Sequence, residues 1–220
     1  MDQPIDNYAL LKPFIRTTSM FDFYHVQVIS RNKDLPDTEQ ENSSYPIMSF
    51  YIRDDFPLDM YYPFIKEFCE EHRVRAYINL NKMFMPEVRA RLWDAEKWAY
   101  YDAEIKDLSR KDAPEFYRMG YPAVWHLDVD GHVRGDEYDN AVTEYLRVHG
   151  VYEILRVPTL HGFHICIYPT LDIEDFNEKF PLTVVHQMHP TILYIPRSIT
   201  SLFDADENGV VGYEFKEGVQ

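Results

Sequence analysis

The chain is short of cysteine: Cys69 and Cys166 are the only two in 220 residues. They lie far apart inside apolar patterns, which reads as two buried thiols rather than a disulfide or a zinc site. Long apolar runs are missing as well. None approaches the roughly 18 residues that a membrane span needs, and the opening Met1-Asp2-Gln3-Pro4 lacks the basic-then-apolar layout of a secretory signal. The expectation is a soluble, intracellular, cytoplasmic chain with no membrane partner. Also absent are a Walker loop, a dinucleotide-binding glycine fingerprint, a nucleophile elbow, low-complexity tracts and any repeat of about 20 to 50 residues.

Positive charge is the other shortage. Lys and Arg number 22 against 37 Asp and Glu, a net charge of −15, with 14 against 19 in residues 1–110 and 8 against 18 in residues 111–220. A chain this acidic repels a phosphate backbone at long range, so indiscriminate nucleic-acid binding is disfavoured unless a basic patch or bound cations reverse the field locally. One such patch exists: between His72 and Arg91, the cations Arg73, Arg75, Lys82, Arg89 and Arg91 face only Glu87. It reads either as a solvated helix-and-strand edge or as a nucleic-acid contact.

What the chain does have is apolar and aromatic surface, 45% and 15% of residues with 17 Tyr, enough to bury a core in one compact domain over residues 1–220. Residues 1–110 read as a sheet with helices, 121–196 as a second core, and 197–220 as a tail or hairpin. Strands are expected at Phe21 to Ser30, Ile47 to Arg53, Arg75 to Leu80, Tyr121 to Val129, Tyr152 to Val157, Gly162 to Tyr168 and Thr191 to Ile195. Arg31 to Tyr45 reads as a long loop between two strands. A helix is expected from Asp59 to His72, with Pro63 in its first turn and Phe64, Ile65, Phe68 and Cys69 buried. Others follow Pro86, start at the cap residue Asp136 and stop at Gly150, and run from Asp172 to Phe180. The fold class is α+β with a mixed, mostly antiparallel sheet flanked by helices.

The chemistry concentrates in two stretches. In Trp125-His126-Leu127-Asp128-Val129-Asp130-Gly131, residues two apart on a strand share a face, so Asp128 and Asp130 present two carboxylates about 7 Å apart. Such a pair reads either as acids ending a strand at a loop or as a site for magnesium or manganese, whose charge relieves the repulsion. In Pro158-Thr159-Leu160-His161-Gly162-Phe163-His164-Ile165, a small-residue turn feeds an apolar strand. Gly162 permits close approach of a ligand to the backbone, and His164 reads as a structural histidine or as one projecting at the strand's mouth. Seven of the nine histidines lie between His126 and His189.

In that order the two stretches resemble the archaeo-eukaryotic primase superfamily, which includes the primase-polymerases. Leu127-Asp128-Val129-Asp130 matches its hydrophobic-Asp-hydrophobic-Asp strand, and the turn ending Gly162-Phe163-His164 matches its Gly-x-His motif. The resemblance implies an RRM-like catalytic sheet, Asp128 and Asp130 binding two Mg or Mn ions, and His164 contacting the phosphates of a nucleoside triphosphate beside His161 and Gly162. If the chain is active on DNA or RNA, the basic stretch supplies the template contacts, Arg73, Arg75, Lys82 and Arg89. The chain is similar, too, to small phage-associated proteins of unassigned function, through Phe23 to Ile29, Arg75 to Asn81, the Asp-x-Asp strand and His186 to Tyr194.

One departure stands out. The superfamily places a third acid on a later strand, but Pro181-Leu182-Thr183-Val184-Val185-His186-Gln187-Met188-His189-Pro190 contains no carboxylate. Near Val184 the side chain is aliphatic, and Asp172, Asp175 or His186 are the candidate substitutes. Two rivals follow: a non-catalytic descendant binding a nucleotide, nucleic acid or a protein partner, and a metal-dependent phosphoesterase or nuclease using His161, His164, His186 or His189. Asp204 to Gly209 begins like a calcium loop, but Phe215 occupies the final ligand position, and Asn208-Gly209 reads as a hairpin turn.

Overall fold

Apolar residues recur at two-residue and three-to-four-residue spacings, and the computed structural model turns these into two sheets with helices against them. It describes residues 3–17, 21–34, 44–84, 123–129, 135–187 and 189–201. Among them, in chain order, are β1 (Ile5–Asp6), α1 (Tyr8–Leu11), β2 (Asp22–Arg31), β3 (Ser44–Ile52), α2 (Leu58–His72), β4 (Arg75–Ile78), β5 (Met83–Phe84) and β6 (Trp125–Val129). Then come α3 (Gly135–Val148), β7 (Glu153–Pro158), β8 (Phe163–Ile167), α4 (Ile173–Lys179), β9 (Val184–Gln187), β10 (Thr191–Ile195) and α5 (Arg197–Thr200).

The first sheet has the order β1-β10-β4-β2-β3, with β5 also paired to β2. Every residue of β2 from Asp22 to Val28 is buried, as suits a strand with a neighbour on each side. The helix α2 starts earlier than expected, at Leu58, which makes Pro63 its sixth residue. Its buried face is Leu58, Tyr62, Ile65 and Cys69, spaced four, three and four apart. Phe64, expected inside, is 47% exposed. The helix ends where Arg73 takes a left-handed conformation, φ 52°, and Val74 N–H donates to the Cys69 carbonyl at 3.3 Å.

The second sheet has the order β7-β8-β6-β9 and is built by the sequence β-α-β-β-α-β. Every strand pairing described in either sheet is antiparallel. The class is therefore α+β, with antiparallel sheets flanked by helices. On one face of the second sheet, Leu127, Val129, Ile165 and Ile167 pack against Val142, Tyr145 and Leu146 of α3 and against Phe176 and Phe180 at α4. Gly150 (φ 69°) stops α3 as expected, and the Val151 N–H returns to the Leu146 carbonyl at 2.9 Å. Asp136 falls inside α3 rather than before it. Asp172 caps α4, accepting from Glu174 N–H and Asp175 N–H.

On the opposite face, Leu155, Val157 and Cys166 share a core with Val26, Ile78, Leu193 and Tyr194 of the first sheet. Four strands differ from expectation, the two-residue β1 and β5 lying where none is expected. The segment Val184–Gln187 is a strand, paired with β6, and Thr191–Ile195 leaves the Asp-x-Asp sheet to lie between β1 and β4. The helix after Pro86, the Asp204 to Gly209 loop and residues 35–43 of the long loop lie outside the described residues. No described helix is long and apolar enough to cross a membrane.

Candidate functional site

Strand alternation divides β6 cleanly. Leu127 and Val129 turn to the helices, so His126 and Asp128 share the face that α3 and α4 leave uncovered. Register then sets their neighbours. Asp128 stands opposite His164 on β8 and opposite Val184 on β9, and His126 stands opposite Cys166 and His186. Two rows cross the face as a result: Val157, His164, Asp128, Val184 and, beside it, Leu155, Cys166, His126, His186. The β7 and β8 ends of these rows are mostly apolar and enter the shared core. The β6 and β9 ends carry the polar groups.

Both carboxylate oxygens of Asp128 have an imidazole close by, His164 Nε2 at 3.5 Å from Oδ1 and His186 Nε2 at 3.9 Å from Oδ2. These are ion-pair distances rather than hydrogen bonds. The other nitrogen of His164, Nδ1, is 2.8 Å from Thr191 Oγ1, a buried contact reaching across to the first sheet. His126 stacks on His164, with centroids 4.3 Å apart and planes 18° apart, and lies 4.8 Å from the His186 ring. His189 in turn stacks on His186 at 5.0 Å.

Burial pushes the His126 imidazole well below its ordinary range, and the neighbouring rings of His164, His186 and His189 push the same way; a bond to the His189 backbone opposes them. Burial also lowers His186, against the opposing pull of Asp128. Asp128 itself stays open to solvent, its side chain 34% exposed.

The entry to β6 is clamped from the first sheet. Asn81 Nδ2 donates to the Val124 carbonyl at 2.9 Å, and the Val124 N–H donates to Asn81 Oδ1 at 2.6 Å, as a paired strand would. Asn79 Oδ1 accepts from both the main-chain and side-chain nitrogens of Asn81.

Of the residues singled out from sequence, Asp128 and His164 come together. His161 and Gly162 form the β7–β8 turn, closed by the Thr159 N–H donating to the Gly162 carbonyl at 2.9 Å. Asp130 and Arg89 lie outside the described residues. Arg73 is exposed at the end of α2, and Lys82 is half-buried with Nζ 5.9 Å from the Tyr24 ring centre.

Arg75 requires a correction. It is 3% exposed, and its guanidinium donates to both oxygens of the equally buried Asp34, so it is spent inside the protein and offers no template contact.

Among the candidate substitutes for the missing acid, Asp172 caps a helix and Asp175 accepts from Tyr145 and Lys179. Only His186 reaches Asp128. Val184 is cross-strand from Asp128 and 54% exposed, so an aliphatic side chain stands beside the carboxylate where the resemblance expects an acid. Among the described residues no three or more His, Cys, Asp or Glu side chains form a group that could hold a metal ion.

Sequence reasoning missed His126 and Thr191. The two-residue spacing of His126 and Asp128 was available, whereas the Thr191 contact depends on packing between sheets. No family model, curated protein or solved structure matches the chain.

Proposed function

We propose that this protein is primase-polymerase-like and handles a nucleoside triphosphate with a divalent cation, Asp128 holding the cation and His164 binding phosphate. The observation that carries the reading is the pairing of Asp128 with His164 on the face opposite α3 and α4 in a β-α-β-β-α-β sheet. A strand order of β7-β8-β6-β9 is that of the ferredoxin-like split β-α-β unit, the arrangement an RRM-like core would have. As a hard oxygen donor, partly open to water, Asp128 suits magnesium or manganese; Asp130 is its proposed companion. The cation would supply charge neutralisation at the phosphates. The Thr191 contact at Nδ1 fixes the ring of His164 and leaves Nε2 directed at the Asp128 side. Arg73, Lys82 and Arg89 are the remaining candidates for DNA or RNA contact.

A second reading is a nucleotide-binding descendant without turnover, and the register favours it: Val184, not a carboxylate, flanks Asp128. Titration with manganese and labelled nucleoside triphosphate, followed by a primer-extension assay, separates the two. Binding that disappears in Asp128→Asn supports both readings, and extension product selects the first. Undiminished binding in that variant overturns the assignment of the site.

A further inference from the structure

We propose that the outer end of the same face, formed by Val184 and His186 of β9 with His189 just beyond it, is a shelf on which the base of the bound nucleotide stacks. This rests on the nucleotide reading above and adds the position of the base.

The argument starts from what lies beside the phosphate site. On one side of Asp128 the sheet is closed, since His164 is 7% exposed and the row continues into the buried Val157. On the other side it is open: Val184 is 54% exposed, the His186 side chain is 28% exposed and His189 is exposed. Among the described residues, the direction across β9 is the open one along which a ligand with phosphates at Asp128 and His164 can lay the rest of its structure.

The open side also has the chemistry a flat, weakly polar ring requires. The His186 and His189 rings are stacked on each other, 5.0 Å between centroids with 30° between planes, and His186 is backed by His126. The main chain at His189 is tied to the His126 side chain, which holds the segment against the sheet. A nucleobase adding to this pile extends a stack already in place, and it covers a valine otherwise left in water. Every base has a π-face, so such a shelf is tolerant of base identity.

The test uses the full chain, calorimetric titration, manganese, and two ligands that share their phosphates: ATP and inorganic tripolyphosphate. Wild type is expected to bind ATP more tightly than tripolyphosphate. His189→Ala should weaken ATP roughly tenfold and leave tripolyphosphate unchanged, the second titration reporting that the fold and phosphate site are intact. His189→Phe, which retains a flat ring, should restore ATP binding. Equal loss for both ligands, no loss for ATP, or failure of phenylalanine to rescue would each overturn the shelf. If wild type binds both ligands equally, the shelf is wrong and the phosphate site stands; if it binds neither, the nucleotide reading falls and takes the shelf with it.

Discussion

Asp128 and His164 face each other across the β6–β8 pairing, with Nε2 3.5 Å from Oδ1, and the far nitrogen of the histidine sits 2.8 Å from Thr191 on the other sheet. The contact carries little stability, since the carboxylate is partly solvated, the separation is at the long limit for a hydrogen bond, and an asparagine keeps an oxygen opposite the buried imidazole. Asp128→Asn is therefore expected to move the denaturation free energy by less than about 1 kcal/mol while lowering manganese-dependent nucleotide affinity at least tenfold. Chemical denaturation and calorimetry on one preparation give both numbers. A large stability loss with unchanged affinity would make Asp128 a structural residue.

Val184 offers the complementary test. It stands cross-strand from Asp128 and is 54% exposed, so Val184→Asp adds no cavity. Without a cation, like charges directly opposite each other on a sheet destabilise by about 0.2–1 kcal/mol; with one, the new carboxylate becomes a ligand. The variant should melt slightly below wild type in chelator and gain more than wild type on addition of manganese. Identical manganese responses would show that the Asp128 face does not hold the ion.

Arg75 belongs to the core. Its side chain and that of Asp34 are 3% and 1% exposed, joined by two hydrogen bonds, so removing one partner strands a buried charge. Arg75→Ala should cost about 3–5 kcal/mol, and replacing Arg75 and Asp34 together by apolar residues should recover much of that. If nucleic acid binds, Arg73→Ala should flatten the salt dependence by about one unit of slope. The paired Arg75 and Asp34 replacement, measured where it is folded, should leave the slope unchanged.

These cases show what was legible in the sequence. Alternation along β6 placed Asp128, and the Gly162 turn placed His164 on the next strand, because both features are local and apolar neighbours fix the strand faces. The fate of Arg75 was not legible: its partner Asp34 is 41 residues away, and a cation on a strand looks the same in sequence whether its face is open or covered. The strand β9 is not legible because Val184–Gln187 is four residues long and exposed or half-exposed throughout, so it lacks the apolar alternation that marks a strand. A helix starting at Asp59-Met60 with Pro63 in its first turn places Phe64 inside; a start at Leu58 sets the buried stripe at Leu58, Tyr62, Ile65 and Cys69 instead.

The histidine pile predicts how stability responds to acid. His126 is 4% exposed and held well below its ordinary value of 6.5, mainly by burial, and His186 is lowered for the same reason. A histidine depressed in the folded state is neutral in both states above its unfolded pKa, so its full contribution is present there. Below that value the unfolded chain takes up a proton that the folded chain refuses, and stability falls with pH by up to about 1.4 kcal/mol per unit for each such group. The rings facing His126 are His164 on β8, His186 on β9 and His189 beyond it, all of which oppose its protonation, while the bond to the His189 backbone only partly offsets them. Carboxylates lowered by their partners, such as Asp6, Asp59 and Asp175, contribute an acid loss only nearer their ordinary 3.8. Between about pH 6.5 and 5.5 the slope therefore belongs to the histidines. Urea denaturation across that window should show wild type losing stability as pH falls. His126→Gln, which retains a side-chain donor for the His189 backbone, should reduce the slope by close to one proton even if its stability at pH 7.5 is lower. An unchanged slope in that variant would mean that His126 is protonated in the folded protein, and the buried neutral stack would have to be abandoned.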